Sequence, residues 1–157
     1  MKRHFLLDEN ILYHAIKGVN EHNEFDLSSM DLVVRIADNC HSIILNAFLE
    51  ARYNSHLNQL RTDRSTLLQP IFFVNVFVKN RAKTVWQDAP LPHIPNSCEI
   101  PAEDIDIVRS ALVTHPVVVS NDAGLRAAIN ACEALNLRAL SARDALQLAN
   151  EPCSEPD

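Results

Sequence analysis

The chain has 157 residues, enough for one domain with a single sizeable core. Hydrophobic residues make up 47% and charged residues 22%, an ordinary globular composition in which no apolar stretch is long enough to span a membrane. The net charge of −6 argues against a generally basic nucleic-acid binder, and two glycines, Gly18 and Gly124, are too few for a Gly-rich phosphate-cradling loop.

The first element is the run Phe5-Leu6-Leu7, a buried strand over residues 4–8. The apolar run behind the basic start is too short for a signal peptide, so a cytoplasmic location is expected. The strand stops at Asp8-Glu9-Asn10, and helical periodicity then runs over 9–18 and ends at Gly18. A polar loop over 19–26 follows. Ser28-x-x-Asp31 resembles a capping box for a helix through Asn39, with Met30, Val33, Val34 and Ala37 on one face. Ser42–Leu45 reads as a short strand. A helix over 46–61 carries Phe48, Leu49, Tyr53, Leu57 and Leu60. The apolar segment 71–78 reads as a helix rather than a strand, because nothing after Pro70 breaks it. Four prolines make 87–101 an extended connection. A helix over 103–114, a strand over 116–119, a helix over 123–135, a strand over 137–140 and a last helix capped by Ser141 complete the chain. Residues 1–150 form one domain, and 151–157 read as a frayed, flexible tail.

Cysteines stand at 40, 98, 132 and 153, without C-x-x-C spacing or close histidine partners. Zinc spacing is absent, and the four are expected reduced, Cys132 in the core and Cys153 in the tail.

Strands alternating with helices imply a mostly parallel sheet in a three-layer α/β/α fold, whose functional crevice lies at the carboxyl ends of the strands. Two carboxylates fall there. Asp8 ends the first strand, and Asp122 follows Val117–Val119 through Ser120 and Asn121. Either alone reads as a helix cap. On parallel strands of one sheet they share an edge. Asp104 opens a helix on the face of Ile107 and Ala111, where a carboxylate is costly unless paired or metal-bound. Glu50 borders the buried stripe of its own helix beside Leu49 and Tyr53. Asp106 and Glu103 read as solvated and dipole-complementing.

The ordered set resembles the PIN-domain family. It comprises Asp8 with Asn10 two residues on, Glu50 in the helix after the second strand, Asp104-x-x-Ile107-x-x-x-Ala111, and Ser120-x-Asp122 ending an apolar strand. The ending LNLRALSARDAL is also similar. The likeness covers roughly residues 3 to 148, with the segment 62–101 unmatched. It implies a metal-dependent ribonuclease, in many members the toxin of a bacterial toxin–antitoxin pair. By that resemblance Asp8, Glu50, Asp104 and Asp122 form the acidic cluster, and Asn10 and Ser120 support it. An RNA substrate, an antitoxin partner and a homodimer are family expectations.

Oxygen-only ligands suit Mg²⁺ or Mn²⁺ rather than zinc. Asp8, Asp104 and Asp122 are the expected ligands, with Glu50 orienting or deprotonating the attacking water. Contacts to a polyanion require cations nearby, and Arg52, Arg61, Arg64, Lys79, Arg81 and Lys83 are candidates, Arg52, Arg81 and Lys83 foremost. Trp86 reads as packed rather than stacked on a base. The histidines are scattered and take no role. A haloacid-dehalogenase-type phosphatase would need a second Asp where Asn10 stands. The alternative outside enzymology is a catalytically silent scaffold of the same fold.

Overall fold

The computed structural model describes residues 1–153. Five strands form one sheet: β1 (His4–Leu7), β2 (Ser42–Leu45), β3 (Thr84–Trp86), β4 (Val117–Val119) and β5 (Arg138–Leu140). Their order is β3-β2-β1-β4-β5, and every pairing is parallel. A parallel sheet covered on both faces needs continuous apolar strands. Phe5, Leu6 and Leu7 in β1 and Ile43, Ile44 and Leu45 in β2 meet that need, and all are buried.

The helices are α1 (Glu9–Lys17), α2 (Ser28–Asp38), α3 (Ala47–Leu60), α4 (Pro70–Phe73), α5 (Ile105–Ala111), α6 (Ala123–Ala131) and α7 (Ala142–Ala149). On one face α1 packs against α2 and α3, α2 against α7, and α3 against α4. The right-handed crossover rule puts α5 and α6 on the other, giving the three layers expected from the sequence.

Several elements have clear local causes. Gly18 ends α1 at φ 69°, where a side chain would collide with Leu67. The helical reading of 71–78 holds, although the turns widen into a π-helix over Val74–Val78. Helical spacing stacks Phe73 on Phe77 at 5.0 Å and places Phe73 edge-on to Tyr53 at 5.6 Å.

Other expectations are corrected. Ser28 does not cap α2. The Asp26 carboxylate accepts the Ser28 N–H at 2.9 Å, and the buried stripe is Ser29, Leu32, Val33 and Ile36. β3 was not apparent in the sequence because it has only three residues, half-exposed at the sheet edge. Trp86 at its end is 46% exposed rather than packed.

The cysteines are not reduced. Cys40 bonds Cys153, and Cys98 bonds Cys132. Partners 113 and 34 residues apart cannot be matched from spacing alone. The first bond draws the chain end to the turn before β2. There Arg3 pairs with Glu151 and the amino terminus donates to the Pro152 carbonyl, so 151–153 are held rather than frayed. The rest of the expected tail, 154–157, lies outside the described residues. No helix among the described residues is long and apolar enough to cross a membrane.

Candidate active site

The sheet order reverses direction at β1. The chain moves from β1 to β2 on one side and reaches β4 on the other, so the crevice lies where β1 and β4 end together. The Asp8 N–H donates to the Val119 carbonyl at 2.9 Å, fixing the register of the two ends.

Asp8 is buried and caps α1. One carboxylate oxygen accepts the Glu9 N–H at 2.8 Å; the other accepts the Ser120 hydroxyl at 2.7 Å and the Asn10 amide at 3.2 Å. The Ser120 hydroxyl also accepts the Asp122 N–H at 3.1 Å and the Asn10 amide at 3.3 Å. One hydroxyl therefore ties both strand ends to both carboxylate residues. Asp122 caps α6, its Oδ1 accepting the N–H groups of Gly124 and Leu125 at 2.9 and 3.2 Å. Its Oδ2 has no hydrogen-bond partner among the described residues. The Tyr53 hydroxyl donates to the Leu7 carbonyl and anchors α3 under the same strand end.

Asp104 arrives by another route. A 3₁₀ turn over Ala102–Asp104 ends the proline-rich connection, and α5 begins at the next residue. Asn46 ties this helix to the sheet edge, accepting the Leu49 N–H at 2.8 Å and donating to the Ser110 hydroxyl at 2.9 Å. The Asp104 carboxyl makes no hydrogen bond among the described residues. Burial, then the charges of Asp8, Asp122 and Glu103, raise its pKa to about 6. Burial also pushes the Asp8 carboxyl up, against the Ser120 hydrogen bond that lowers it. Three carboxylates from separate stretches of chain thus share one electrostatic neighbourhood. Their oxygens do not form a tight trio. Among the described residues, the three Cys, His, Asp or Glu groups with ligand atoms all within 4.8 Å of one another are Cys40, His41 and Cys153. That trio is spent as a ligand set: the cysteines are bonded to each other, and the His41 nitrogens meet the Arg3 N–H and the Ala149 carbonyl.

No family model matches the chain, and no curated protein does. Among solved structures, it is similar to a PilT N-terminus (PIN) domain protein from the hyperthermophilic archaeon Sulfolobus solfataricus. The TM-score is 0.50 at 9% identity, over 98% of this chain and 99% of that one. The chain has a PIN-like fold.

Within this PIN-like frame the remaining candidates separate. Glu50 lies on the same edge, half-buried in the first turn of α3, and makes no hydrogen bond or ion pair among the described residues. Arg52, one residue from the next turn, clamps Glu9 with both arms of its guanidinium and lies 5.2 Å from the Phe48 ring centre. Its charge favours ionised Asp8 and Asp104. Lys83 is engaged elsewhere. Its ammonium donates to the carbonyls of Ile36, Asn39 and His41 at the end of α2. Lys83 and the exposed Arg81 precede β3, at the amino edge of the parallel sheet and opposite the acids.

Three participants escaped the sequence reading. Glu9, bound by Arg52 and 3.5 Å from His56, is the second acid of the opening Asp8-Glu9-Asn10, yet only a fold could show that it faces α3. Asn121 is buried and donates to His14 Nδ1 at 2.8 Å and to the Ser29 hydroxyl at 3.0 Å. Arg126 donates to the Ser120 carbonyl at 2.8 Å, one turn into α6.

Proposed function

We propose that the protein is a metal-dependent endoribonuclease. The observation that carries this reading is the convergence of Asp8, Asp104 and Asp122, with the Asp104 carboxyl raised to about 6 by its neighbours. Uncompensated carboxylates of this kind are relieved by a hard divalent cation. The donor set fits one. It offers oxygens alone, and both Asp104 oxygens and Asp122 Oδ2 have no hydrogen-bond partner among the described residues. The spread of the carboxylates suits Mg²⁺ or Mn²⁺, which keep several waters. Asp8, Asp104 and Asp122 would hold the ion, which when bound lowers the pKa of an attacking water and stabilises the leaving oxygen of a phosphodiester.

The chain's own groups do the positioning. Ser120 and Asn10 fix the Asp8 carboxylate, so its orientation is set before any substrate arrives. Arg52, held by Glu9, keeps a positive charge beside Asp8 and Asp104. Glu50 stands on the edge as an acceptor for the proton of the attacking water.

A toxin role, with an antitoxin partner and dimer formation, extends the same reading. Its support is the likeness between this chain and the family as a sequence pattern.

The test is cleavage of assorted RNAs with added Mn²⁺, with the Asp104→Asn protein as control. Wild type cuts and the variant does not. RNA left intact by the wild type, with Mn²⁺ bound no better than by Asp8→Asn, would establish the silent scaffold instead.

A further inference from the structure

A polar cavity of about 250 Å³ opens beside the acid cluster. None of the cluster's own carboxylates lines it; the two are joined through Asn121, between Ser120 and Asp122 in the chain, and through Arg126, which lines the cavity and donates to the Ser120 carbonyl. The two sides of the cavity carry opposite charge. Arg126 reaches it from α6 and Arg143 from the start of α7; Glu21 and Asp26 face them from the α1–α2 loop. Arg143 and Asp26 approach to 3.5 Å.

This chemistry selects a ligand class. Among the described residues no aromatic side chain lines the cavity, so these offer no platform on which a base would stack. Two guanidiniums suit a phosphodiester oxygen pair. α2 and α7 both begin at the cavity, which adds favourable dipole ends for an anion. The facing carboxylate calls for a hydroxyl donor. Hydrogen bonds from Ser28 and the Arg143 charge hold Asp26 below the ordinary carboxylate range, so it is an acceptor at neutral pH. A phosphate with a hydroxyl a few ångströms away is the sugar–phosphate unit of RNA.

We propose that this cavity binds one ribonucleotide unit of the substrate strand adjacent to the scissile bond, its phosphate on Arg126 and Arg143 and its ribose 2′-hydroxyl donating to Asp26. The proposal rests on the ribonuclease reading and adds to it the means of telling RNA from DNA. Arg126 links the subsite to the cluster, since it also holds the Ser120 carbonyl.

The experiment is fluorescence anisotropy with a short 5′-fluorescein oligouridylate and its deoxy counterpart, in EDTA, across a salt series. Arg143 is 76% exposed, so Arg143→Ala leaves the fold intact. That variant weakens RNA binding about 5- to 10-fold and makes the slope of log K against log salt shallower by about 0.7, the loss of one phosphate contact. Asp26→Asn, whose amide oxygen still accepts the Ser28 N–H, weakens RNA binding several-fold and leaves DNA binding unchanged. An Arg143→Ala protein with wild-type affinity and slope overturns the proposal, as does an Asp26→Asn loss equal for RNA and DNA, or a wild type that binds no RNA. Because the measurement excludes divalent metal, these outcomes are separate from the cleavage test. Wild-type Mn²⁺-dependent cleavage with an unaffected Arg143→Ala sinks the subsite alone. A clear Arg143→Ala binding defect without any cleavage supports the subsite and sinks the nuclease.

Discussion

On the β1–β4 side of the cluster, Asp8 accepts three hydrogen bonds and sits under a sheet whose register its own N–H helps to set. On the α5 side, Asp104 accepts none among the described residues and stands at the end of a proline-rich connection. One carboxylate is oriented by covalent geometry and hydrogen bonds; the other is placed by backbone alone and disfavoured by its neighbours' charge. A site built this way has a fixed half and an adaptable half. Under the proposed metal-dependent reading, the fixed half pre-orients a ligand oxygen and the adaptable half gains most when a cation arrives.

The largest expected effect removes charge from the cluster itself. Asp122→Asn retains an oxygen that caps α6 yet deletes a carboxylate proposed to hold the ion. RNA cleavage should fall about 10²- to 10³-fold, a loss of roughly 3 to 4 kcal/mol of transition-state stabilisation. Far-ultraviolet circular dichroism should be unchanged. Cleavage within a few-fold of wild type would mean that Asp122 is only a helix cap.

Next comes the hub of the fixed half. Ser120 is fully buried, and Ser120→Ala strips Asp8 of its shortest hydrogen bond and leaves the Asp122 N–H without its acceptor. Orphaned buried polar groups cost about 1 to 3 kcal/mol. Thermal unfolding should therefore drop by about 2 to 12 °C, at roughly 2 to 4 °C per kcal/mol for a chain of this size. If the comparison of halves is correct, Asp104→Asn shows no such loss. Equal destabilisation by both would erase the distinction.

The same contrast explains what the sequence made legible. Asp8 and Asp122 end uninterrupted apolar strands, and in a parallel sheet such strand ends converge, so residue order alone placed both on one edge. Ser120 and Asn10 came from the resemblance to the PIN-domain family, which implies polar supports two residues from those carboxylates. The strand pattern worked where β1 and β2 are buried on both faces and failed at β3, which is short and half-exposed. Long-range pairings were out of reach. Lys83 reads as a free cation until α2 is seen to end above it, and Arg52 reads as a free RNA contact until Glu9 is seen to hold it. Cys40 and Cys153 look unrelated at 113 residues apart. Glu21, Asp26, Arg126 and Arg143 come from three separate stretches of chain, and no local pattern joins them.

A smaller effect should appear on acidification. His14 is buried, and its Nδ1 accepts the Asn121 amide, so the neutral ring is the one that fits. Burial lowers its pKa, which means that the fold disfavours the proton. The stability this contributes is present above the ordinary value of 6.5 and is lost as pH falls below it. One hydrogen bond is worth about 1 kcal/mol, so unfolding should shift down by about 2 to 4 °C toward pH 5. In His14→Leu that part of the pH dependence should be missing. An unchanged slope in the variant would assign the acid sensitivity to other groups.

The smallest effect has the opposite sign to most substitutions, and it tests the adaptable half directly. A carboxyl whose pKa is raised by folding is one whose charge the fold penalises. For Asp104 the penalty is full above about 6 and absent below its ordinary value of 3.8. Asp104→Asn removes the charge and keeps the shape. In EDTA at pH 7.5 the variant should unfold about 1 to 3 °C above wild type, a gain held small by solvent screening at this partly exposed group. At pH 4 most of the difference should be gone, since wild-type Asp104 is then mostly protonated in the folded protein and little of the penalty is left. Added Mn²⁺ should reverse the order at pH 7.5, because the cation stabilises only the protein that retains its carboxylate. A variant less stable than wild type in EDTA would mean that Asp104 is held by favourable contacts, and the two halves of the site would then be built alike.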